Sequence, residues 1–150
     1  MTLAVHTAAA LVIAQHSHSH LQAFLLGFLS HIILDMIPHG DYHLSRWFNK
    51  GQKMRKIIFL AEADILISTI IAAAFFYSYV ANPSIFVWAL VGSWLPDIPH
   101  FFFHLSRERF MVRLNRWHSN IHFLEKRVKL NIKQSLILQG LILVIFYLLL

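Results

Sequence analysis

Apolar residues in this chain come in long runs, and short polar clusters separate them. Five segments stand out: Leu3–Ala14, Leu21–Ile37, Ile57–Ala81, Ile85–His104 and Ser135–Leu150. Continuous runs of this kind predict helices that are apolar all round, as in a buried core or a bilayer. A helix needs about 20 apolar residues to cross a bilayer, with about 17 tolerable. Ile57–Ala81 is long enough. Leu21–Ile37 and Ile85–His104 fit but carry His and Asp. Ser135–Leu150 is short, and Leu3–Ala14 is shorter still. The latter reads as a tucked or re-entrant helix, or as one that spans only with its flanks. It lacks the basic flank of a signal peptide. Proline marks the ends of two segments, at Pro38 and at Pro96 and Pro99, where it stops a helix and lets the chain fold back. No repeat or linker divides residues 1–150, which read as a single domain.

Composition strengthens the membrane reading. Hydrophobic residues make up 57% of the 150 residues and mean hydropathy is +0.58, too apolar for an ordinary soluble domain. The charge is placed more tellingly than its formal net value of +6 suggests. All thirteen Lys and Arg lie in two stretches. One holds Arg46, Lys50, Lys53, Arg55 and Lys56, and the other runs from Arg107 to Lys133. Clustering between apolar segments is what the positive-inside bias produces, and it argues against nucleic acid as partner. The basic stretches 38–56 and 105–134 are therefore expected in the cytoplasm, where they would meet anionic lipid headgroups. The multi-pass protein is expected in the cell (inner) membrane.

Depth then orders the ionisable residues. With the basic stretches inside, His31 and Asp35 lie near the inner end of the second segment. Glu62 and Asp64 lie near the start of the third, Asp97, His100 and His104 near the end of the fourth, and His6 near the start of the first. Four segments thus place their costly groups in one layer at the cytoplasmic boundary. Ionisable groups in membrane segments need a cause. The chain has no cysteine, so a metal would take imidazole and carboxylate ligands. Those suit zinc most readily, with manganese or iron also compatible.

The constellations are specific to different degrees. His31 and Asp35 are spaced i,i+4 and share a helix face. They form either a two-ligand unit or a buried hydrogen-bonded pair. His39 continues that face if the helix survives Pro38. Asp97 and His100 flank a proline corner, and His104 is either a further ligand or an interfacial residue among Phe101, Phe102 and Phe103. Glu62 and Asp64 diverge by about 200° on a helix, so only one can face a given site; Asp64, flanked by apolar turns, is the better candidate. His118 and His122 are again i,i+4, but their basic surroundings fit an amphipathic surface helix equally well. His16, His18 and His20 alternate in a turn on the outer side, where a polar turn is the first reading. No phosphate-binding glycine loop, nucleophile elbow or zinc-finger spacing is present.

Gly27-Phe-Leu-Ser-His31-Ile-Ile-Leu-Asp35-Met-Ile-Pro38-His39 and Leu95-Pro96-Asp97-Ile98-Pro99-His100 resemble two motifs of the membrane-bound metal-dependent hydrolases. His118 and His122 look similar to that family's third His-rich segment, and His6 to its N-terminal His. The motifs cover about a third of the chain. Two features depart from the pattern: the third segment is His-Ser-Asn-Ile-His, and His31–Asp35 precedes Asp97–His100. The His-x-x-x-Asp unit is also distantly similar to zinc-dependent phospholipase C. The resemblance implies an integral membrane helical bundle holding a divalent metal, more firmly than it implies a substrate.

Taken together, these features predict an all-α integral membrane bundle of four to five helices with a metal site, of one or two ions, at the cytoplasmic interface. His31, Asp35, Asp97 and His100 are the expected core ligands and catalytic groups. His6, His39, Asp64, His118 and His122 are further candidates. The expected activity is metal-dependent hydrolysis of a phosphoester or lipid-like substrate such as a phospholipid. A metal-binding membrane module and a divalent-cation transport protein are the alternatives.

Overall fold

In the computed structural model, residues 1–39, 54–98, 109–128 and 130–150 are described. Every element among them is helical: α1 Leu3–His16, α2 His20–Met36, α3 Met54–Tyr79, α4 Pro83–Trp94, α5 Arg109–Ile121, α6 Phe123–Arg127 and α7 Ile132–Leu149, with a single 3-10 turn Leu95–Asp97 after α4. The apolar segments become α1, α2, α3, α4 and α7. The fourth segment is an α-helix only as far as Trp94 and then turns at Leu95–Asp97, and the second basic stretch contributes α5 and α6. Apolar and cationic positions there alternate at helical spacing, and an amphipathic helix forms.

Local chemistry fixes where the helices start. The Ser19 side chain accepts from the Gln22 N–H at 3.2 Å and begins α2. Asn82 caps α4, with Pro83 in the first turn, where a missing N–H costs nothing. Asn131 and Gln134 form a reciprocal capping box at the start of α7, satisfying two otherwise orphaned donors. α2 ends at Met36, before Pro38.

The first helix is the hub. Ala4 to Leu11 are all buried, and α1 packs against α2, α3, α4 and α7. Its Thr7-Ala-Ala-Ala10 run explains why: side chains this small let neighbours approach from every direction. At 14 residues it rises only about 21 Å. Two apolar clusters flank it. One joins Ala10 and Leu11 to Ala23, Ile85, Phe86 and Ala89. The other joins Val5 and Ala9 to Leu34 and to Ile142, Leu143 and Phe146 of α7.

The closest helix contact is between α2 and α4, the two helices that carry the motifs. A Cβ on Gly27 would lie 2.3 Å from the Ala89 carbonyl oxygen, and one on Gly92 would lie 2.2 Å from that of Phe24. The two glycines are reciprocal: each gives the other helix room to approach. This contact sets the relative height of His31 on α2 and of the turn after α4.

The outer faces are apolar. Leu21, Leu25, Leu29 and Ile33 repeat every four residues along α2, and all are exposed. Ile137, Leu141, Ile145 and Leu149 do the same on α7. Among the described residues, one helix, Ile132–Leu149, is long and apolar enough to cross a membrane. The shorter Leu3–His16 and His20–Met36 are also apolar.

Candidate metal centre

Asp35 is the centre of the site. It is the last residue but one of α2 and is fully buried. Its Oδ2 is 3.0 Å from Nε2 of His31, 3.1 Å from Nε2 of His118 and 3.5 Å from Nε2 of His122. Its Oδ1 is 3.2 Å from Nε2 of His6 and 2.6 Å from the α-amino group of Met1. One carboxylate thus serves groups from α1, α2 and α5, from the residue after α5 and from Met1.

Asp97 completes a compact set. Its Oδ1 lies 3.8 Å from Nε2 of His31 and 3.6 Å from Nε2 of His118. One ligand atom each from His31, Asp35, Asp97 and His118 fall within 4.8 Å of one another. Two imidazole nitrogens and two carboxylate oxygens form a donor set that can hold a divalent cation. Three of the four groups are buried, while the Asp97 side chain is 35% exposed. The set therefore opens on the Asp97 side.

The hydrogen bonds around His31 test whether a cation fits. Pro96 has no N–H to offer the Ser93 carbonyl three residues back. That carbonyl instead accepts from Nδ1 of His31 at 2.6 Å. A neutral ring with its proton on Nδ1 carries its lone pair at Nε2. Nε2 then faces Asp35 Oδ2 at 3.0 Å and the His118 ring nitrogen at 3.3 Å. Acceptors crowded in this way in a buried site repel unless a proton or a metal ion lies among them. A backbone carbonyl orienting the far nitrogen is also the usual support of a metal-bound histidine. The residues fit a metal.

The elements around the site are tied in place. Thr7 Oγ1 donates to the Leu3 carbonyl at 2.8 Å and accepts from the Trp94 indole N–H at 3.2 Å. This anchors the end of α4 on the hub just before the 3-10 turn that carries Asp97. Ser93 Oγ is buried and within 3.5 Å of both Gly27 O and Ser30 Oγ. The His6 and His31 rings stack at 4.2 Å with an interplanar angle of 16°. His118 and His122 project from the amphipathic α5 and from the residue after it, with ring centroids 5.0 Å apart.

Other candidate residues sit in different relations to this set. His39 is off the helix, since α2 stops before Pro38, but the chain folds back and buries it. Its ring is 5.1 Å from that of His122. Asp64 is turned to the start of the hub, where its two oxygens accept from the N–H groups of Leu3 and Ala4 at 2.7 and 3.1 Å. A carboxylate at a helix N-terminus is favourable in itself, and Asp64 is spent on that role, outside the four-ligand set. Glu62 is exposed. His100 and His104 lie outside the described residues, and the fourth member of the described set is His118. His16 and His20 are taken up locally, by the Val12 carbonyl and by Ser84 Oγ.

Two supporting residues escaped the sequence reading. Gln139 of α7 is buried; its Oε1 accepts from the Thr2 N–H and its Nε2 donates to the His39 carbonyl. A lone amide within an apolar helix was the available signal. Ser93 acts through its backbone carbonyl, which no side-chain pattern reveals.

Comparison with family models, with curated proteins and with solved structures gave no match.

Proposed function

We propose that this chain is a membrane-embedded, metal-dependent hydrolase. Its ion would be held by His31, Asp35, Asp97 and His118, zinc being the best fit to this donor set and manganese or iron also compatible. One observation carries the reading: two nitrogens and two carboxylate oxygens, from α2, the turn after α4 and α5, converge within 4.8 Å. Such a metal, when bound, supplies Lewis acidity and a bound water of pKa near 7. The chain's residues would orient the ion and exclude solvent on the buried side. Asp97 borders the open side, where catalytic sites keep a position for water or substrate.

The apolar outer faces of α2 and α7 support placement in lipid, with the bundle multi-pass in the cell membrane. α5, which brings in His118, also carries Arg109, Arg113 and Arg116. The metal site is therefore beside basic chain, on the side that the positive-inside bias assigns to the cytoplasm. A substrate there would be an amphiphile with its head at the interface, a phospholipid or another phosphoester lipid. Basic residues nearby favour an anionic head.

The test begins with elemental analysis of the detergent-purified chain, which should contain a divalent ion. Asp35→Ala and His118→Ala should lose it while the protein still inserts. Metal-dependent release of phosphate or a headgroup from mixed micelles should follow the ion content. A wild-type chain that takes up no divalent ion after loading would sink the reading. Ion flux through proteoliposomes without hydrolysis would favour the transport alternative. For topology, cysteines placed singly at Asn49 and Asn131 should resist labelling from outside intact cells, and strong labelling of either would overturn the orientation.

A further inference from the structure

Three edges of α5 differ in chemistry. At 100° per residue, Arg113, Arg116 and Asn120 fall within about 60° of one another, and all three are exposed. Leu114, Trp117 and Ile121 make a second, apolar edge. His118 lies beyond it, about 140–160° from the polar edge, and is buried. Contacts give each edge its surroundings. Nε2 of His118 is 3.1 Å from Asp35 Oδ2. The Trp117 ring stacks on Phe28 with centroids 6.3 Å apart and an interplanar angle of 18°, yet Trp117 stays 46% exposed. Phe28 is flanked by the exposed Leu25 and Leu29, so the apolar edge turns toward the apolar outer face of α2. The arginines then point away from the bundle, along its flank. A half-exposed tryptophan between an apolar and a cationic edge is the pattern of a helix lying in a membrane interface.

We infer that an anionic lipid surface holds α5 against the bundle and thereby tightens the ion site, because the helix that carries the arginines also delivers His118. The inference rests on the proposed metal site and adds a regulator to it, the charge of the surrounding leaflet. His31 and Asp35 sit on α2 and Asp97 on the turn after α4, two elements fixed on each other by the glycine contact. His118 is the ligand whose position follows α5, and α5 meets the bundle chiefly on α2. A basic residue beside an anionic leaflet gains about fivefold in surface affinity, and two are exposed on α5. The effect is reciprocal: lipid that favours the docked helix raises ion affinity, and the ion raises the helix's affinity for the surface by the same factor.

The test places the full chain in nanodiscs of phosphatidylcholine, alone or mixed with phosphatidylglycerol, and reads Zn2+ affinity by competition with a chromophoric chelator. Wild type should bind Zn2+ about fivefold more tightly, or better, in the anionic discs. Arg113→Gln combined with Arg116→Gln should lose most of that gain, which also controls for Zn2+ drawn to the lipid itself. His118→Ala should lose it too. A second readout needs no metal. The chain has no cysteine, so Asn120→Cys takes a single bimane label. Its quenching by nitroxide-bearing headgroups should be stronger in anionic discs, should rise on adding Zn2+, and should lose its lipid dependence in the double arginine variant. If His118→Ala binds no Zn2+, the rise in quenching with Zn2+ decides. An equal gain in wild type and the double variant would overturn the inference. So would a gain that survives in His118→Ala, since neutralisation of the arginines alone would then explain it. Lipid-independent quenching would overturn it and leave the metal site intact. No Zn2+ binding in either disc would overturn the metal site and this inference with it.

Discussion

The helix pair α1–α2 carries histidines at both of its ends, and the two ends treat them oppositely. At the turn between the helices, His16, His18 and His20 are exposed. His16 bonds to a carbonyl one turn back, and His20 to the Ser84 hydroxyl. About 17 to 22 Å further along α2, His31 and Asp35 are buried and face the ligand atoms of Asp97 and His118. Residue type is the same at both ends. What differs is whether the remaining partners are water or other ligand atoms. The exposed His16 and His20 each meet a single polar group, whereas the buried ones gather around one carboxylate in a set that could hold an ion. The comparison turns on convergence and not on histidine content.

The largest way to break the contrast is Asp35→Ala. It removes the one carboxylate that the buried ring nitrogens of His6, His31, His118 and His122 share. Metal content should fall to the background level. Removing one partner of a buried ionic group costs about 3–5 kcal/mol, so thermal unfolding in detergent should come at clearly lower temperature. Retained metal with unchanged melting would reduce the site to an ordinary hydrogen-bond cluster.

Gly27→Ala and Gly92→Ala should come next. Neither touches a ligand, yet the new Cβ would meet a backbone oxygen at 2.3 or 2.2 Å. The helices must separate, and overpacking of this kind costs about 1–3 kcal/mol, occasionally more. His31 and Asp97 sit on opposite sides of that contact, so metal affinity should drop along with stability. A variant as stable and as metal-loaded as wild type would show that the height of α2 against α4 is set elsewhere.

A smaller effect is expected from Gln139→Leu. The change preserves bulk but removes the amide between Thr2 and His39. Leaving a buried N–H and a carbonyl without this partner costs about 1–3 kcal/mol. The four-ligand set should keep its ion, because the bonds of Gln139 go to Thr2 and His39. Loss of that ion would mean that α7 supports the whole centre.

These expectations show what could be read from the sequence and what could not. The apolar runs gave four helix cores closely, because their boundaries are written in caps and prolines such as Ser19, Asn82 and Pro38. His31 and Asp35 were legible because i,i+4 spacing puts two side chains on one face whatever surrounds them. Asp97 was legible from its proline corner. His118 was ambiguous, since an amphipathic basic helix looks the same on a surface as it does over a buried carboxylate. Asp64 shows where local reading stops: a charge among apolar turns needs a partner, and its oxygen accepts from the start of α1, 61 residues away. Nothing local announces which helix terminus a distant carboxylate will cap.

The smallest effect belongs to the outer turn and sharpens the comparison most. His16→Ala, His18→Ala and His20→Ala, combined in one chain, remove three of the eleven histidines. If histidine content drew the metal, the triple variant would lose a matching share of bound ion. If convergence draws it, ion content and affinity should match wild type. Stability should also stay close, because substitutions at exposed positions away from such features usually fall within about 0.5 kcal/mol. His20 has the most to lose, since its Nε2 is 2.7 Å from Ser84 Oγ across the α2–α4 contact. Water can replace that exposed bond, and the Asn82 side chain still accepts from the Ser84 hydroxyl. Isothermal titration of stripped wild type and triple variant with Zn2+ is the direct check. Equal site numbers and equal affinity are expected. A variant that lost its tightest site would move the metal centre to the other end of the helix pair.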